Sequence, residues 1–456
     1  MRRSSLFLLA CLLLLPLSGA RGAAGDPTLL KNINPGPTDS DPDWFQRVGK
    51  TMFFEATDGT NGSELWKTNG TKAGTKMVKN IAPGGDGYGA EDLVNLNGIL
   101  LFEGNNGSDG YELWRSNGTK AGTKMVKDIN SGPGSSSPDY TIVIGNTAYF
   151  LAYTVASAGE LWKSDGTKAG TKMVKDINPG PNPSYPGSPW GRIGKLLIFG
   201  ADNGSHGREL WRSDGTKNGT KMIKNIYPGV TGSEPDDFMS MGGKVYFDAG
   251  DDTDGRELWV TDGTTSGTKQ LKDIYPDAPE SSITNPYVAG NRIYFSADNG
   301  VVGNEPWTSN GTKTGTKLLR NIQTDSGGSF PAEWAHMGRT VYFQAGVDGQ
   351  GAELWKTRGT TASTVVVKDI NPGSNGSNPY DLTVANGMLY FAADGNDSGL
   401  ELYRSDGTEL GTGFVDMVPG QFAGSIPQNL HPFGKLLIFS ATTSGAGREV
   451  WKLPLS

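Results

Sequence analysis

Aspartate-rich loops contain the residues of this sequence whose type and spacing best suit metal binding. Asp251, Asp252 and Asp254 lie within four positions of one glycine-containing loop. Calcium prefers several hard oxygen ligands from a short flexible loop, so these carboxylates are the candidate calcium site. The loop lacks the closing glutamate of the twelve-residue calcium-binding pattern, and the corresponding loop at residues 156–159 has no acid. A purely structural turn is therefore the alternative.

Aromatic side chains form a second candidate set. Seven of them each lie near the start of a strand-like segment that recurs along the chain: Trp44, Tyr140, Trp190, Phe238, Tyr287, Trp334 and Tyr380. Sugar rings stack on flat aromatic side chains, so a cluster of them at the mouth of a channel would bind a ligand such as a glycan. Packing between neighbouring strands explains the same residues equally well, and both interpretations stay open.

Catalytic motifs give little support for an enzyme. The three histidines, His206, His336 and His431, are far apart in the sequence, and neither His-Glu-x-x-His nor Gly-x-Ser-x-Gly occurs. Paired carboxylates could still cleave a glycosidic bond, although the acids of this chain belong to repeated positions. We expect a non-enzymatic binding or scaffold protein that recognises glycan or protein. An extracellular polysaccharide hydrolase or lyase with its site at a channel mouth is the alternative.

The elements that must position these residues are defined by an internal repeat. Glu64-Leu65-Trp66 returns at steps of 48 residues, with a single step of 49, and most copies keep the three residues unchanged. The nine glutamates that mark the copies are Glu64, Glu112, Glu160, Glu209, Glu257, Glu305, Glu353, Glu401 and Glu449. Such regular spacing predicts nine equivalent structural units within one domain, residues 25–456.

Each unit has the pattern of four short antiparallel strands. In the fifth copy the predicted strands cover residues 238–241, 244–249, 257–260 and 269–274, separated by glycine-containing turns. Glycine and proline number 67 and 26, which is too turn-rich for a helical protein. Four strands in about 48 residues match one blade of a β-propeller.

The two ends of the chain predict how the units close. The ninth copy ends before its fourth strand, whereas residues 29–36 repeat the fourth-strand pattern of residues 77–84. We therefore predict an all-β fold, a single propeller of nine four-stranded blades in which the N-terminal strand completes the C-terminal blade. Propellers commonly have about four to eight blades, so an eight-bladed ring and an open β-repeat array are the alternatives.

The repeated segment resembles a known family. Glu160-Leu161-Trp162 is followed after two residues by Asp165-Gly166-Thr167, and the same spacing recurs after Glu209. This pattern is similar to the signature of the ELWxxDGT-repeat family of secreted, mainly bacterial proteins, and it covers essentially the whole mature chain. Asn69 and Asn117 replace the aspartate in two copies, and Arg358 replaces it in another. The resemblance implies a propeller-like extracellular protein but no catalytic or ligand residue.

The most regular polar residues have structural interpretations. Asp or Asn before Gly favours a turn capped by its own side chain. The repeated Glu and Trp share one face of their strand, and the Leu points to the other. In a propeller both faces are covered by neighbouring blades, so the tryptophans should form the core between blades. The glutamates should be buried acceptors for backbone or hydroxyl donors.

The beginning of the chain has the pattern of an export signal. Arg2 and Arg3 precede an apolar run, and small residues suggest cleavage after Ala20 or Ala24, which predicts a signal peptide at 1–20 or 1–24. We expect a secreted protein, extracellular or at the cell surface, that is a monomer without a transmembrane span. Cys11 is the single cysteine and lies in this segment, so the mature chain has no disulfide.

Net charge limits the partners. The formal charge of −7 becomes −10 once Arg2, Arg3 and Arg21 leave with the signal, and the chain has no basic run. Such a protein does not suit nucleic acid or an anionic membrane. The expected partner is an extracellular glycan or protein, and calcium is the one cofactor that the sequence suggests.

Overall fold

A computed structural model describes residues 25–83, 89–276, 280–324, 327–395, 399–417 and 424–455. The predicted signal peptide, residues 1–24, lies outside the described residues. Within the described ranges the regular elements are 36 β-strands and one 3₁₀ helix, Thr361–Ser363. No helix in this part of the chain has the length and apolar character needed to cross a membrane.

The strands β1 to β18 are, in order, Thr28–Lys31, Asp43–Val48, Thr51–Thr57, Ser63–Thr68, Lys76–Lys79, Glu91–Leu96, Ile99–Asn105, Tyr111–Ser116, Lys124–Lys127, Asp139–Ile144, Thr147–Thr154, Ala158–Ser164, Lys172–Lys175, Gly187–Ile193, Leu196–Asp202, Arg208–Ser213, Lys221–Lys224 and Asp236–Met241. The strands β19 to β36 are Lys244–Asp251, Gly255–Thr261, Lys269–Lys272, Thr284–Ala289, Arg292–Ala297, Glu305–Ser309, Lys317–Leu318, Ala332–Met337, Thr340–Val347, Gly351–Thr357, Val365–Lys368, Tyr380–Ala385, Met388–Asp394, Leu400–Ser405, Gly413–Phe414, Gln428–Phe433, Leu436–Thr443 and Gly447–Pro454.

These strands form nine antiparallel sheets of four strands, which are the blades of a propeller. Blade 1 is β2–β5, and each following group of four consecutive strands forms the next blade up to blade 8. Blade 9 combines β34, β35 and β36 with the N-terminal strand β1, where Leu29 lies opposite Trp451. The first strand of every blade contacts the first strand of the next, including β34 with β2. The predicted nine-bladed ring is therefore confirmed, and the open array and the eight-bladed ring are wrong.

Antiparallel order divides the connections between two faces of the ring. The connections from strand 2 to strand 3, and from strand 4 to the next blade, lie on one face, which we call the loop face. The hairpins between strands 1 and 2 and the Asp-Gly-Thr turns between strands 3 and 4 lie on the opposite face, the turn face. The first strands surround the central channel, because each contacts its equivalents in both neighbouring blades.

Apolar layers between neighbouring blades form the core. Leu65 packs with residues of blade 2, whereas Trp66 packs with residues of blade 9, so the two neighbours point to opposite faces of blade 1. One phenylalanine of each second strand is fully buried: Phe54, Phe102, Phe150, Phe199, Phe247, Phe295, Phe343, Phe391 and Phe439. Each such side chain contributes about 1.5–3 kcal/mol on burial. The predicted packing of the tryptophans between blades is confirmed.

Lysine side chains of the fourth strands reinforce these layers. Lys79 Nζ lies 5.2 Å from the ring centroid of Trp114 in the next blade and donates a hydrogen bond to Thr123 O at 3.0 Å. Lys127 and Lys175 repeat this arrangement over the tryptophans of blades 3 and 4. The aliphatic part of each lysine covers apolar surface while its ammonium satisfies a carbonyl of the neighbouring blade.

The repeated glutamate is a buried hydrogen-bond acceptor, as predicted. Glu209 is fully buried and accepts from the backbone N–H groups of Ile226 at 2.8 Å and Tyr227 at 2.9 Å. The same carboxylate accepts from Ser233 Oγ at 2.7 Å and from Ser233 N at 3.1 Å. These donors belong to the connection toward blade 5, so one side chain fixes the path from each blade to the next.

The Asp-Gly-Thr segment is a capped turn. Asp165 Oδ1 accepts hydrogen bonds from Thr167 N at 2.9 Å and Thr167 Oγ1 at 2.6 Å. Gly166 adopts a φ of +82°, which favours glycine. Beneath the turn, Ser164 Oγ and Thr171 Oγ1 lie 2.8 Å apart and join strands 3 and 4. The structural interpretation of this repeated motif is confirmed.

The predicted strands of the fifth copy agree with β18 to β21 apart from their ends. The fourth strand ends at Lys272, although the sequence predicts an end at Ile274. Ile274 N donates to the carboxylate of Glu257 at 2.7 Å and so has left the ladder. The apolar pattern continues past the strand because Ile274 still packs in the core between blades.

We predict that replacing one repeated glutamate strongly destabilises the ring. The Glu209→Ala variant leaves three backbone N–H groups and one hydroxyl of a buried connection unpaired, at about 1–3 kcal/mol for each group. The free energy of unfolding should therefore fall by more than about 3 kcal/mol, measured by thermal and urea denaturation. Glu409→Ala removes an exposed glutamate and is the control, with a change below about 0.5 kcal/mol. Equal losses in the two variants would contradict this role.

Candidate functional site

Each channel-lining strand carries a β-bulge near its loop-face end. In blade 1, Asp43 pairs with Glu55 and Gln46 pairs with Phe53, so two residues lie opposite one. The first bulge residue, Trp44, has a φ of +55°. Bulges redirect side chains, and they are common beside functional sites. In blade 4 three residues oppose Phe199, and this extra residue accounts for the one repeat step of 49.

Residue types at the bulge separate two blades from the others. Asp, Asn or Glu takes the positive-φ position in six blades: Asp92, Asp237, Asn285, Glu333, Asp381 and Asn429. Trp44 and Tyr140 take it in blades 1 and 3, both with a φ of +55°. Asp and Asn tolerate this conformation, whereas a bulky aromatic residue there costs about 1–3 kcal/mol. Backbone strain of this kind often marks a functional position.

The two aromatic residues at the positive-φ position of the bulge are held in the same way. Trp44 N donates to Asp43 Oδ1 at 2.7 Å, and Tyr140 N donates to Asp139 Oδ1 at 2.6 Å. Their side chains remain 44% and 45% exposed. Trp190 Nε1 donates to the carbonyl of Tyr140 and so joins the bulge of blade 3 to blade 4. Two large rings are thus presented at the loop-face end of the channel.

The other five predicted aromatic residues do not occupy the positive-φ position of the bulge. Phe238 and Trp334 stack on the buried phenylalanines of their own blades, with ring centroids 5.5 and 4.6 Å apart, and Trp190 contacts Phe199 edge-on at 5.7 Å. Tyr287 Oη lies 2.6 Å from His336 Nδ1, and Tyr380 Oη donates to Pro427 O at 3.2 Å. The structure therefore does not bring all seven together, and sugar binding by them stays a prediction.

Carboxyl groups lie near the loop-face ends of the first two strands of blades 1 and 2, between Trp44 and Tyr140. Glu55 lies opposite Asp43 in blade 1, and Glu103 lies opposite Glu91 in blade 2. Burial, with the nearby charge of Glu91, raises the pKa of Glu55 to about 8. Burial and the charges of Glu91 and Asp139 raise the pKa of Glu103 to about 8 as well. Both side chains are therefore largely protonated at neutral pH, when each can donate and accept hydrogen bonds.

Acidic residues at the equivalent place in blade 5 are neutralised instead. Asp248 has the same register position as Glu55 and forms an ion pair with Arg256 at 2.6 Å. The other ion pair among the described residues joins Arg208 and Glu234 at 3.9 Å. The carboxyl groups of Glu55, Glu91 and Glu103 belong to neither pair.

Sequence reasoning missed Glu55, Glu91 and Glu103 because they stand inside ordinary strand patterns. The signal in the sequence was that the copies differ at one position, the residue after the buried phenylalanine. This residue is Glu55 in blade 1 and Glu103 in blade 2, whereas the equivalents in blades 3, 4 and 6 are Leu151, Gly200 and Ser296. Tyr185, which precedes the first strand of blade 4 and is 54% exposed, was missed as well.

The candidate calcium loop is internally hydrogen-bonded. Asp251 Oδ1 accepts from the backbone N–H groups of Thr253 at 2.9 Å and Asp254 at 2.8 Å, so this carboxylate caps its own turn. Asp252 is exposed beside it. Across the described residues, no group of three or more His, Cys, Asp and Glu side chains is arranged to hold a metal ion. Calcium binding by Asp251, Asp252 and Asp254 stays a prediction.

Comparisons with known proteins find only remote similarity. No family model and no curated protein matches the chain. Among solved structures, a puromycin hydrolase is similar with a TM-score of 0.41 and 12% identity, covering 82% of this chain and 61% of the hydrolase. Oligopeptidase B from Leishmania major is similar with a TM-score of 0.43 and 9% identity, covering 78% of this chain and 53% of the peptidase. Similarities of this size do not indicate an activity or a substrate.

We predict that the buried carboxyl groups of Glu55 and Glu103 make the stability of the protein depend on pH. Their folded pKa of about 8 lies above the ordinary value of 4.5, so the folded protein keeps protons that the unfolded chain releases between these values. Their contribution to stability is therefore complete below about pH 4.5 and is lost as pH rises toward about 8. The wild type should lose more melting temperature over this interval than a Glu55→Gln/Glu103→Gln variant. Glu409→Gln is the control, and parallel curves for wild type and double variant would contradict the prediction.

Proposed function

We propose that this chain is a secreted, non-enzymatic binding protein of the ELWxxDGT-repeat family that recognises a glycan at the loop-face mouth of its channel. The site comprises Trp44, Tyr140 and the carboxyl groups between them in blades 1 to 3. The observation that carries the proposal is that two exposed aromatic residues take the left-handed position of the bulge. Six other blades use Asp, Asn or Glu at the same position, so the fold itself does not require these rings.

The chemistry of the two residue types suits a sugar. Flat aromatic rings pack against the C–H faces of pyranose rings, which are apolar, while the hydroxyl groups need partners that both donate and accept. Protonated carboxyl groups at Glu55 and Glu103 have both capacities.

A binding role also agrees with how the repeated polar groups are used. The buried glutamates, the turn aspartates and the fourth-strand lysines are hydrogen-bonded within the ring. These repeated hydrogen bonds explain the groups as parts of the fold, because buried polar groups need partners. Recognition therefore falls to positions where the copies differ, and Trp44 and Tyr140 are among these.

We predict that asparagine at the two bulges separates binding from stability. A Trp44→Asn/Tyr140→Asn variant installs the residue that blades 6 and 9 already use, Asn285 and Asn429, and so relieves strain while removing both rings. The purified wild-type protein, residues 25–456, is screened on a glycan array, and each hit is measured by calorimetry. The variant should bind at least about tenfold more weakly and melt no lower than the wild type.

Phe414→Ala removes a ring that is 60% exposed in β33 of blade 8 and is the matched control, with unchanged affinity. A glycan that binds the double variant as tightly as the wild type would place recognition elsewhere. Failure to bind any glycan would contradict this proposal and point to a protein partner. Release of new reducing ends from a bound polysaccharide would make the protein a hydrolase or lyase.

A further inference from the structure

The turn face carries a cleft between blades 7 and 8 that differs from its equivalents around the ring. Its volume is about 830 Å³, and its lining includes Arg339, Lys356, Arg358 and Asp406. A neighbouring depression of about 390 Å³ shares Arg339 and Arg358 and adds Arg292. Four cationic side chains of blades 6 and 7 thus surround a continuous concave surface.

Arg358 occupies a position that other blades reserve for a turn-capping oxygen. The Asp or Asn at this place accepts from the following Thr in seven blades, through Asn69, Asn117, Asp165, Asp214, Asp262, Asn310 and Asp406. An arginine has no acceptor and cannot cap the turn. Blade 7 therefore needs another oxygen in the same place.

Ser363 supplies that oxygen. Its Oγ accepts from Arg358 N at 3.0 Å and from Thr360 N at 3.3 Å. Other copies have glycine there, such as Gly74, where an added Cβ would collide with Asn69 Oδ1. A serine at this position and an aspartate at the capping position therefore cannot occur in the same turn. In blade 7 the serine, Ser363, takes over the capping that Arg358 cannot provide.

The exchange releases a cationic side chain into the cleft. Arg358 is exposed, and its Nε donates to Thr340 Oγ1 at 3.2 Å across the hairpin of the same blade. Arg339 is exposed in that hairpin, and Arg292 lies half-buried in blade 6. None of these three arginines belongs to the ion pairs found among the described residues.

The remaining charged groups of the cleft are committed to the scaffold. Lys356 Nζ donates to Gly407 O at 2.7 Å, a contact between blades that Lys67 also makes with Gly118. Asp406 Oδ1 accepts from Thr408 N at 2.9 Å and Thr408 Oγ1 at 2.7 Å, so this carboxylate caps its own turn. Cations therefore outnumber Asp406 in the lining, and the three arginines belong to no ion pair among the described residues, so the cleft keeps a net positive charge.

We propose that this cleft is an anion-binding site for a carboxylate, sulfate or phosphate group. Guanidinium groups match the planar or tetrahedral oxygens of such anions with paired hydrogen bonds, and they keep their charge at every physiological pH. The site lies on the face opposite Trp44 and Tyr140, so it is independent of the proposed glycan site. In an acidic protein, a local surplus of arginine marks a specific place for an anionic ligand.

The test restores the common turn. An Arg358→Asp/Ser363→Gly variant recovers the sequence pattern of blades 3 and 4, so the turn should fold and the melting temperature should stay within about 2 °C. Sodium sulfate, sodium phosphate and sodium galacturonate are titrated into residues 25–456 by calorimetry, at ionic strength matched with sodium chloride. The wild type should bind at least one of these anions saturably, and the variant should bind it at least about tenfold more weakly.

Arg339→Ala is a second variant that leaves the turn unchanged and should also weaken binding. Lys168→Ala removes an exposed cation from the equivalent turn of blade 3 and should leave affinity unchanged. Preference for galacturonate would identify an acidic sugar as the source of the anion, whereas preference for phosphate or sulfate would identify an inorganic or esterified oxyanion. Binding no stronger than that of chloride, or equal binding by wild type and both variants, would overturn the proposal.

Discussion

A buried carboxylate in the third strand of each blade is the interaction on which the rest of the ring depends. A glutamate without solvent is costly unless several donors converge on it, and here backbone N–H groups and a serine hydroxyl do so. Those donors come from the segment that connects each blade to the next, and this segment belongs to no strand of the sheets. The same contact closes the circle, because Glu449 accepts from Ile33 N at 2.7 Å and from Ser40 Oγ at 2.8 Å.

This arrangement has a consequence for where ligands can bind. Since the repeated Glu, Asp, Lys and Trp side chains are used between and within blades, changing any of them harms the fold before it alters recognition. Variation is tolerated at three kinds of position: the bulge of the first strand, the residue after the buried phenylalanine, and the turn between strands 3 and 4. The strained Trp44, the protonated Glu103 and the released Arg358 represent one position each. Each departs from its equivalents in a way that packing does not require.

Periodicity made the scaffold predictable, because strand content, blade number and closure all follow from a pattern that repeats along the chain. The site was less predictable, since a shift of one residue moves a side chain to the other face of a strand. Trp44 and Phe45 are adjacent, yet one ring is exposed and the other stacks on Phe54 at 5.1 Å. Only the backbone reveals the bulge that separates them. Arg358 was visible in the sequence as a departure from the repeat. Its side chain is free of the turn because Ser363 Oγ accepts from Arg358 N, and only the structure shows that contact.

The departures from the repeat differ in how their charge is compensated. In blade 5, the acidic Asp248 is matched by Arg256, so its charge is balanced within the blade. In blades 1 to 3, the carboxyl groups have no such cation, and the raised pKa values of Glu55 and Glu103 record an uncompensated cost. In blade 7 the turn is compensated but the charge is not. Ser363 caps the turn, whereas Arg358 forms no ion pair with a carboxylate among the described residues. A chain that repairs its backbone but leaves the charge exposed retains that charge for contact with another molecule. The two regions lie on opposite faces of the ring, so each can take a different ligand without competition.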